Sequence, residues 1–390
     1  MVAGVALALY ALWIGTYLLS GHDARDFTVS SPKFVLRSDA SPVIHYDPTY
    51  QYATHSPLGY DGQFCYYIAL DPVNARFYVD VPGYRYGRIL YPMLARLVAL
   101  GQPSLIPLAL VLVNWLAIGG GTAALALWLR RKGRSPWLAL LYSLYPGLFF
   151  AVQRDLTEPL AYAFVALAIY LFDFGGRRRI LWAGVAFALA GLSRETTLIF
   201  AVVYGLALLW IARSAGATDG ARAPRAMGWR PAALLLALSF APLALLKLFL
   251  ALWLGSTSVP ATVLPVLLPF QGLLAQGPWQ GQQTLVVAGD VLPALLMAAL
   301  GVVVVVRRRA TVAVWALLAN VALCVVLLNP TSYDVMAAGR VMSGVVLAAL
   351  LCVPAFDTVI PRHQRWLCAA GVLWLSLLPF WVVFPYVAPQ

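Results

Sequence analysis

The stretch VVAGDVLPALLMAALGVVVVVRRR, residues 286–309, reads as a membrane helix that stops at a water boundary. Residues 286–306 hold one charged side chain, Asp290. About 20 such residues span a bilayer. Arg307, Arg308 and Arg309 then close the run, and arginine clusters of this kind mark the cytoplasmic side. The whole chain has this character. Of its 390 residues, 62% are apolar and 11% are charged, with a mean hydropathy of +0.81. A soluble globule needs more polar surface than that. The composition excludes a cytoplasmic enzyme, a disordered chain and a secreted disulfide scaffold. It predicts an all-α, polytopic membrane bundle.

The pattern predicts about eleven spans: 2–20, 104–129, 136–152, 157–174, 180–193, 196–212, 231–254, 286–306, 310–328, 341–356 and 366–386. The fifth is short and pairs with the sixth as a candidate broken or re-entrant helix. Met1 leads straight into the first apolar run, so that run reads as a retained helix rather than a cleaved signal. Alternate connections carry sixteen basic residues, from Arg130 to Arg365, against Asp173, Asp219 and Asp357. The opposite side carries ten basic and twelve acidic residues, and Lys247 stands inside a span. The net charge of +12 is therefore a topology signal rather than a nucleic-acid surface. It predicts an inner-membrane protein with its N-terminus in the cytoplasm. The chain reads as one integral membrane domain, 1–390, with residues 21–88 as its first extracytoplasmic loop. Cys65, Cys324, Cys352 and Cys368 show no paired spacing and predict neither a disulfide nor structural zinc.

The outer side holds the groups suited to chemistry. In YDGQFCYYIALDP, residues 60–72, a short helix is expected over 62–70, with Asp61 at its N-cap. A second is expected over 87–100, its apolar stripe lying in the membrane interface. The surrounding tyrosines read as an aromatic belt. Asp61 serves either as a cap alone or also as a general base facing a cleft. The chain has only two glutamates, Glu158 and Glu195, each beside arginine: Arg154 and Asp155 precede Glu158, and Arg194 precedes Glu195. They read as structural ion pairs at helix ends or as parts of one shared site. Lys247 and Arg340 are candidate phosphate contacts. His22, His45 and His55, with Asp23, Asp26 and Asp47, leave room for a divalent metal, though their irregular spacing favours solvated loop residues.

The layout of one span, a long outer loop and then many spans resembles the GT-C class of membrane glycosyltransferases. YDGQFCYYIALDP is similar to the aromatic-Asp segment that opens their catalytic loop. YPGLFFAVQRDLTEPLAYAF, residues 145–164, resembles a P-x-x-F-F…[ST]-E-x-[LF] segment of the GPI mannosyltransferase II-like branch. GLSRETTL, residues 191–198, is similar to that branch's small-x-[ST]-R segment. The resemblance covers roughly residues 1–200 as a module, with 201–390 as additional transmembrane helices. It puts the family's loop Asp on Asp61, its Glu on Glu158 and its Arg on Arg194. The family has two adjacent acids after the first span. HDARD, residues 22–26, offers Asp23 and Asp26 instead, so both stand as rival bases.

The resemblance implies sugar transfer from a polyprenyl-phosphate donor to an extracytoplasmic glycan, lipid or protein acceptor. Asp61 would be the base, and Arg194, Lys247 and Arg340 would hold the phosphate. Arg154, Asp155, Glu158, Glu195, Tyr60, Tyr84 and Arg85 would line the sugar or acceptor pocket. No cofactor is obligatory, and a divalent metal is optional. Membrane lipids are expected partners and nucleic acid is not. The other readings are a transporter, flippase or polymerase for lipid-linked glycans, and a non-catalytic assembly subunit.

Overall fold

The computed structural model describes residues 1–52, 58–217, 229–255, 281–327, 335–359, 363–379 and 382. His55, Asp334 and most of the connections 214–229 and 255–285 lie outside the described residues. Within them every regular element is helical. Five helices are long and apolar enough to cross a membrane: Val2–Leu19, Pro103–Arg131, Arg230–Leu254, Thr284–Val306 and Ala337–Val359. The pair Glu158–Phe174 and Gly176–Ser193, bent by 119°, makes a sixth if counted as one broken span.

Eleven spans were expected, and the difference is one of length. The apolar segments are helical, but several are short. Glu158–Phe174 has 17 residues and Arg179–Ser193 has 15, so they reach about 25 and 22 Å at 1.5 Å per residue. That falls below the roughly 30 Å of a bilayer core. Segment 136–152 breaks into Pro136–Leu138, Ala139–Ser143 and Pro146–Gln153, because Pro146 cannot continue a helix from Tyr145. The expected fifth segment is indeed half of a bent pair, but its partner is the fourth, not the sixth.

Helix Val335–Val359 runs through the middle of the bundle, and Val345 to Leu350 are each at most 1% exposed. It packs against Val312–Leu327, Leu292–Val306 and Pro146–Gln153. At Gly147 and Gly339 two backbones meet, since a Cβ on Gly147 would lie 2.1 Å from the Gly339 carbonyl oxygen. At the arginine-rich end, Lys132 pairs with Asp173 at 3.0 Å and Arg134 pairs with Asp357. Two of the three acids expected at that end are therefore neutralised locally.

The other end carries the 21–88 loop, which folds as a lobe with its own apolar core. Tyr67, Tyr78, Tyr86 and Tyr91 are each at most 2% exposed within it. These tyrosines are core residues, not a headgroup belt. Helix Gly62–Leu70 forms as expected. The second helix is shorter, Leu90–Val98, and buries Tyr91, Pro92 and Ala95 while Leu97 and Val98 stay exposed.

Alanine at Gly147 is expected to cost about 1–3 kcal/mol of stability, because the contacted atom is backbone and cannot swing aside. Equilibrium unfolding of the purified protein in mixed micelles checks this, and an unchanged midpoint would contradict the close approach.

Candidate active site

Asp61 occupies the N-cap position of Gly62–Leu70, but its side chain makes no capping hydrogen bond. It is turned to three arginines instead. Arg85 Nη1 lies 3.0 Å from Oδ1, and Arg340 Nη2 lies 3.4 Å from Oδ2. The carboxylate remains one-third exposed, at 34%. Burial alone would raise the Asp61 carboxyl. Arg85, then Arg340 and Arg88, outweigh it and hold that carboxyl well below the usual range.

The arginines are tied to further acids. Arg85 also donates to Asp80 through Nε and Nη2, both at 2.7 Å. Its guanidinium stacks over Phe64, 4.3 Å from the ring centre. Arg88 holds Glu195 in a fork, Nε to Oε2 at 3.1 Å and Nη2 to Oε1 at 2.9 Å, and also donates to the Tyr84 hydroxyl. Arg340 donates Nε to Glu158 Oε1 at 2.6 Å and Nη1 to the Tyr60 hydroxyl at 3.2 Å. The same Glu158 oxygen accepts from Arg194 Nη1 at 2.7 Å. Glu158 is fully buried, and among the described residues its Oε2 has no hydrogen-bond partner.

These groups surround an open cleft of about 310 Å³, lined by Asp61, Arg85, Arg88, Arg340, Thr157 and the apolar faces of Phe64, Ile68 and Leu156, with Cys65. Thr157 stands at the N-cap of Glu158–Phe174 without capping it. Its hydroxyl is buried and unpartnered on the cleft wall. The lining itself carries three guanidiniums and one carboxylate, and Asp80, Glu195 and Glu158 pair with those guanidiniums from behind. The longest link is Asp61 to Arg340, so an incoming anion competes first for that guanidinium and loosens Asp61.

The structure thus joins Asp61, Arg85, Arg340, Glu158, Arg194, Tyr60, Tyr84 and Glu195 into one network. Other expected site residues lie apart. Asp23 Oδ1 accepts from the Arg25 amide at 2.7 Å, and Asp26 Oδ2 accepts from the Asp23 amide at 2.9 Å. Both cap the turn Ala24–Thr28, and neither lines the cleft. Lys247 donates to the Gly83 carbonyl at 3.1 Å, fastening Arg230–Leu254 to the loop lobe. Arg194 faces Glu158 rather than the opening. Arg154 reaches the Gln153 carbonyl, and Asp155 lies behind the wall. No group of three or more His, Cys, Asp or Glu among the described residues is arranged to hold a metal ion. Arg88 and Thr157 were not expected. The signal for Arg88 was its spacing of three from Arg85, which puts both on one side of a helical turn.

Replacing Glu158 with Gln is expected to destabilise the protein by about 3–5 kcal/mol, because it leaves two buried guanidiniums without their shared anion. Chemical unfolding in mixed micelles reads this directly, and a loss within surface-pair range, about 1 kcal/mol or less, would show the pair to be dispensable. No protein-family model, curated protein or solved structure matches this chain, so the cleft's own chemistry bears the functional reading.

Proposed function

We propose that the chain is a membrane glycosyltransferase that moves a sugar from a polyprenyl-phosphate donor to an acceptor hydroxyl outside the cytoplasm. The observation that carries this reading is a carboxylate set among three guanidiniums in a cleft at the loop end of an apolar bundle. The acceptor oxygen attacks the anomeric carbon as Asp61 takes its proton. The bond from that carbon to the phosphate oxygen breaks. The lipid phosphate leaves with one more negative charge than it had as a diester. Arg340, Arg88 and Arg85 are placed to offset that charge. Thr157 offers a hydroxyl to the phosphate or to the sugar.

The electrostatics support a base that changes strength with the substrate. At rest the arginines make Asp61 a weak base. When phosphate draws Arg340 away, the carboxylate loses part of its stabilisation and accepts a proton more readily. The guanidiniums that line the cleft suit a phosphate diester donor and the monoester it leaves behind. The apolar sides formed by Phe64, Ile68 and Leu156 suit a lipid-linked molecule.

Two outcomes test the reading in purified protein given polyprenyl-phosphate sugars. Asp61→Asn is expected to lower the transfer rate about 10²- to 10⁴-fold while the protein still binds polyprenyl phosphate. Full activity in that variant would refute the assignment of the base. The second outcome concerns pH. Asp61 has a lowered folded pKa, so it stays ionised as pH falls through the usual carboxylate range. The profile of kcat/KM, which reports the free enzyme, should therefore show no acid limb from this base across the usual carboxylate range, about pH 3 to 5.

A further inference from the structure

Asp155, expected in the sugar or acceptor pocket, sits instead behind the cleft wall. It is fully buried, and its backbone is held at φ 47°. Oδ1 lies 3.3 Å from the Tyr91 hydroxyl, and Oδ2 has no hydrogen-bond partner among the described residues. Among the described residues no lysine or arginine pairs with it; the ion pairs of Arg85, Arg88, Arg194 and Arg340 go to other acids. Its neighbour Arg154 turns to the Gln153 carbonyl at 3.1 Å and lies over the Phe150 ring.

The Tyr91 hydroxyl lies within donating distance of both the Leu110 carbonyl and Asp155 Oδ1, and the shorter contact to Leu110 favours a protonated carboxyl. The Tyr91 hydroxyl accepts from Asn114 Nδ2 at 2.8 Å and donates to the Leu110 carbonyl at 3.0 Å. A phenol has one proton to give. With that proton on Leu110, the contact to Asp155 is a hydrogen bond only if Asp155 supplies the proton. The opposite arrangement would leave an ionised carboxylate in a dry site with one long hydrogen bond and one bare oxygen, which is the costlier state. Burial is the larger effect and pushes the Asp155 carboxyl well above the usual range, whereas a proton given by Tyr91 to the carboxylate would act the other way. The other titratable group facing it is the Cys65 thiol of helix Gly62–Leu70, which burial pushes up to about 12 and so keeps neutral.

The position has a mechanical meaning. A Cβ on Gly62 would lie 2.0 Å from the Arg154 carbonyl oxygen and 3.3 Å from Asp155 Cβ. The helix that presents Asp61 is therefore seated on the Arg154–Asp155 turn. We propose that Asp155 is protonated in the folded protein and acts, as a neutral acid, as the positioning residue that braces this seat. A neutral brace adds no negative charge behind Arg85, Arg88 and Arg340. That last consequence rests on the proposed transferase reading, but the brace itself does not.

The test uses the full chain in mixed micelles and no activity assay, so it stands or falls apart from the transferase reading. Asparagine is nearly isosteric, tolerates positive φ, and can donate to Tyr91. The folded wild type keeps a proton that the unfolded chain releases above the ordinary carboxylate pKa. Its folding equilibrium therefore weakens about tenfold per pH unit through that group, until the folded carboxyl itself ionises. Asp155→Asn removes this slope. The variant should gain on the wild type about tenfold per pH unit between about pH 5 and 8, with Asp155→Leu destabilised at every pH. Infrared spectra should also show a protonated-carboxyl carbonyl stretch in the wild type that Asp155→Asn lacks. If Asp155→Asn does not fold, Tyr91→Phe serves in its place, retaining that band at the higher frequency of an acid without a hydrogen bond. A difference between wild type and Asp155→Asn that is flat with pH, an acid band that survives that substitution, or a band that Tyr91→Phe leaves unmoved would each overturn the proposal.

Discussion

One oxygen atom, Glu158 Oε1, holds the loop end of the bundle together. It accepts from Arg194 at 2.7 Å and from Arg340 at 2.6 Å, in a side chain with no exposure to solvent. Arg194 ends one arm of the helical pair and Glu158 begins the other, while Arg340 comes from the central helix. The three helices are therefore fixed relative to one another by a single anion. Arg340 passes the constraint outward through its other nitrogens to Tyr60 and Asp61. Asp61 takes its close pair from Arg85, at 3.0 Å, and meets Arg340 at longer range. Its loose contact of 3.4 Å exists because the guanidinium is already committed.

This arrangement explains why so many charges survive in an apolar chain. Arg85, Arg88, Arg194 and Arg340 meet Asp80, Glu195, Glu158 and Asp61 in mutual pairs, so desolvation of each is offset by a partner. The forked geometry of guanidinium allows one arginine to serve two acceptors, which a lysine ammonium would do less well. Asp155 and Asp290 are exceptions, since among the described residues no cation pairs with either and each meets a tyrosine hydroxyl instead.

The sequence carried much of this, and its limits are physical. Apolar runs located the helices, because burial in lipid needs continuous apolar length. The scarcity of glutamate singled out Glu158, and the turn at Asp61 placed its helix correctly. Pairing between distant segments was not legible. Arg88 meets Glu195 across 107 positions, and Arg340 meets Glu158 across 182. Such contacts depend on the rotation of each helix about its axis, which hydropathy does not report. Lys247 shows the gap well: its depth in the span was readable, but the Gly83 carbonyl it faces was not. The tyrosines of the lobe likewise look the same in sequence whether they lie at headgroups or in a core.

The bent pair of helices also bears on how its arms sit in a membrane. Its arms, at 17 and 15 residues, are each too short to sit alone across a bilayer, and the charges at their ends, Glu158 and Arg194, pair with each other. An arm released singly into lipid would carry a bare glutamate or a bare arginine. The two arms are therefore expected to be stable in a membrane only as a pair. The turn of Gly175 and Gly176, with Arg177, Arg178 and Arg179 beside it, joins them at the end away from that ion pair.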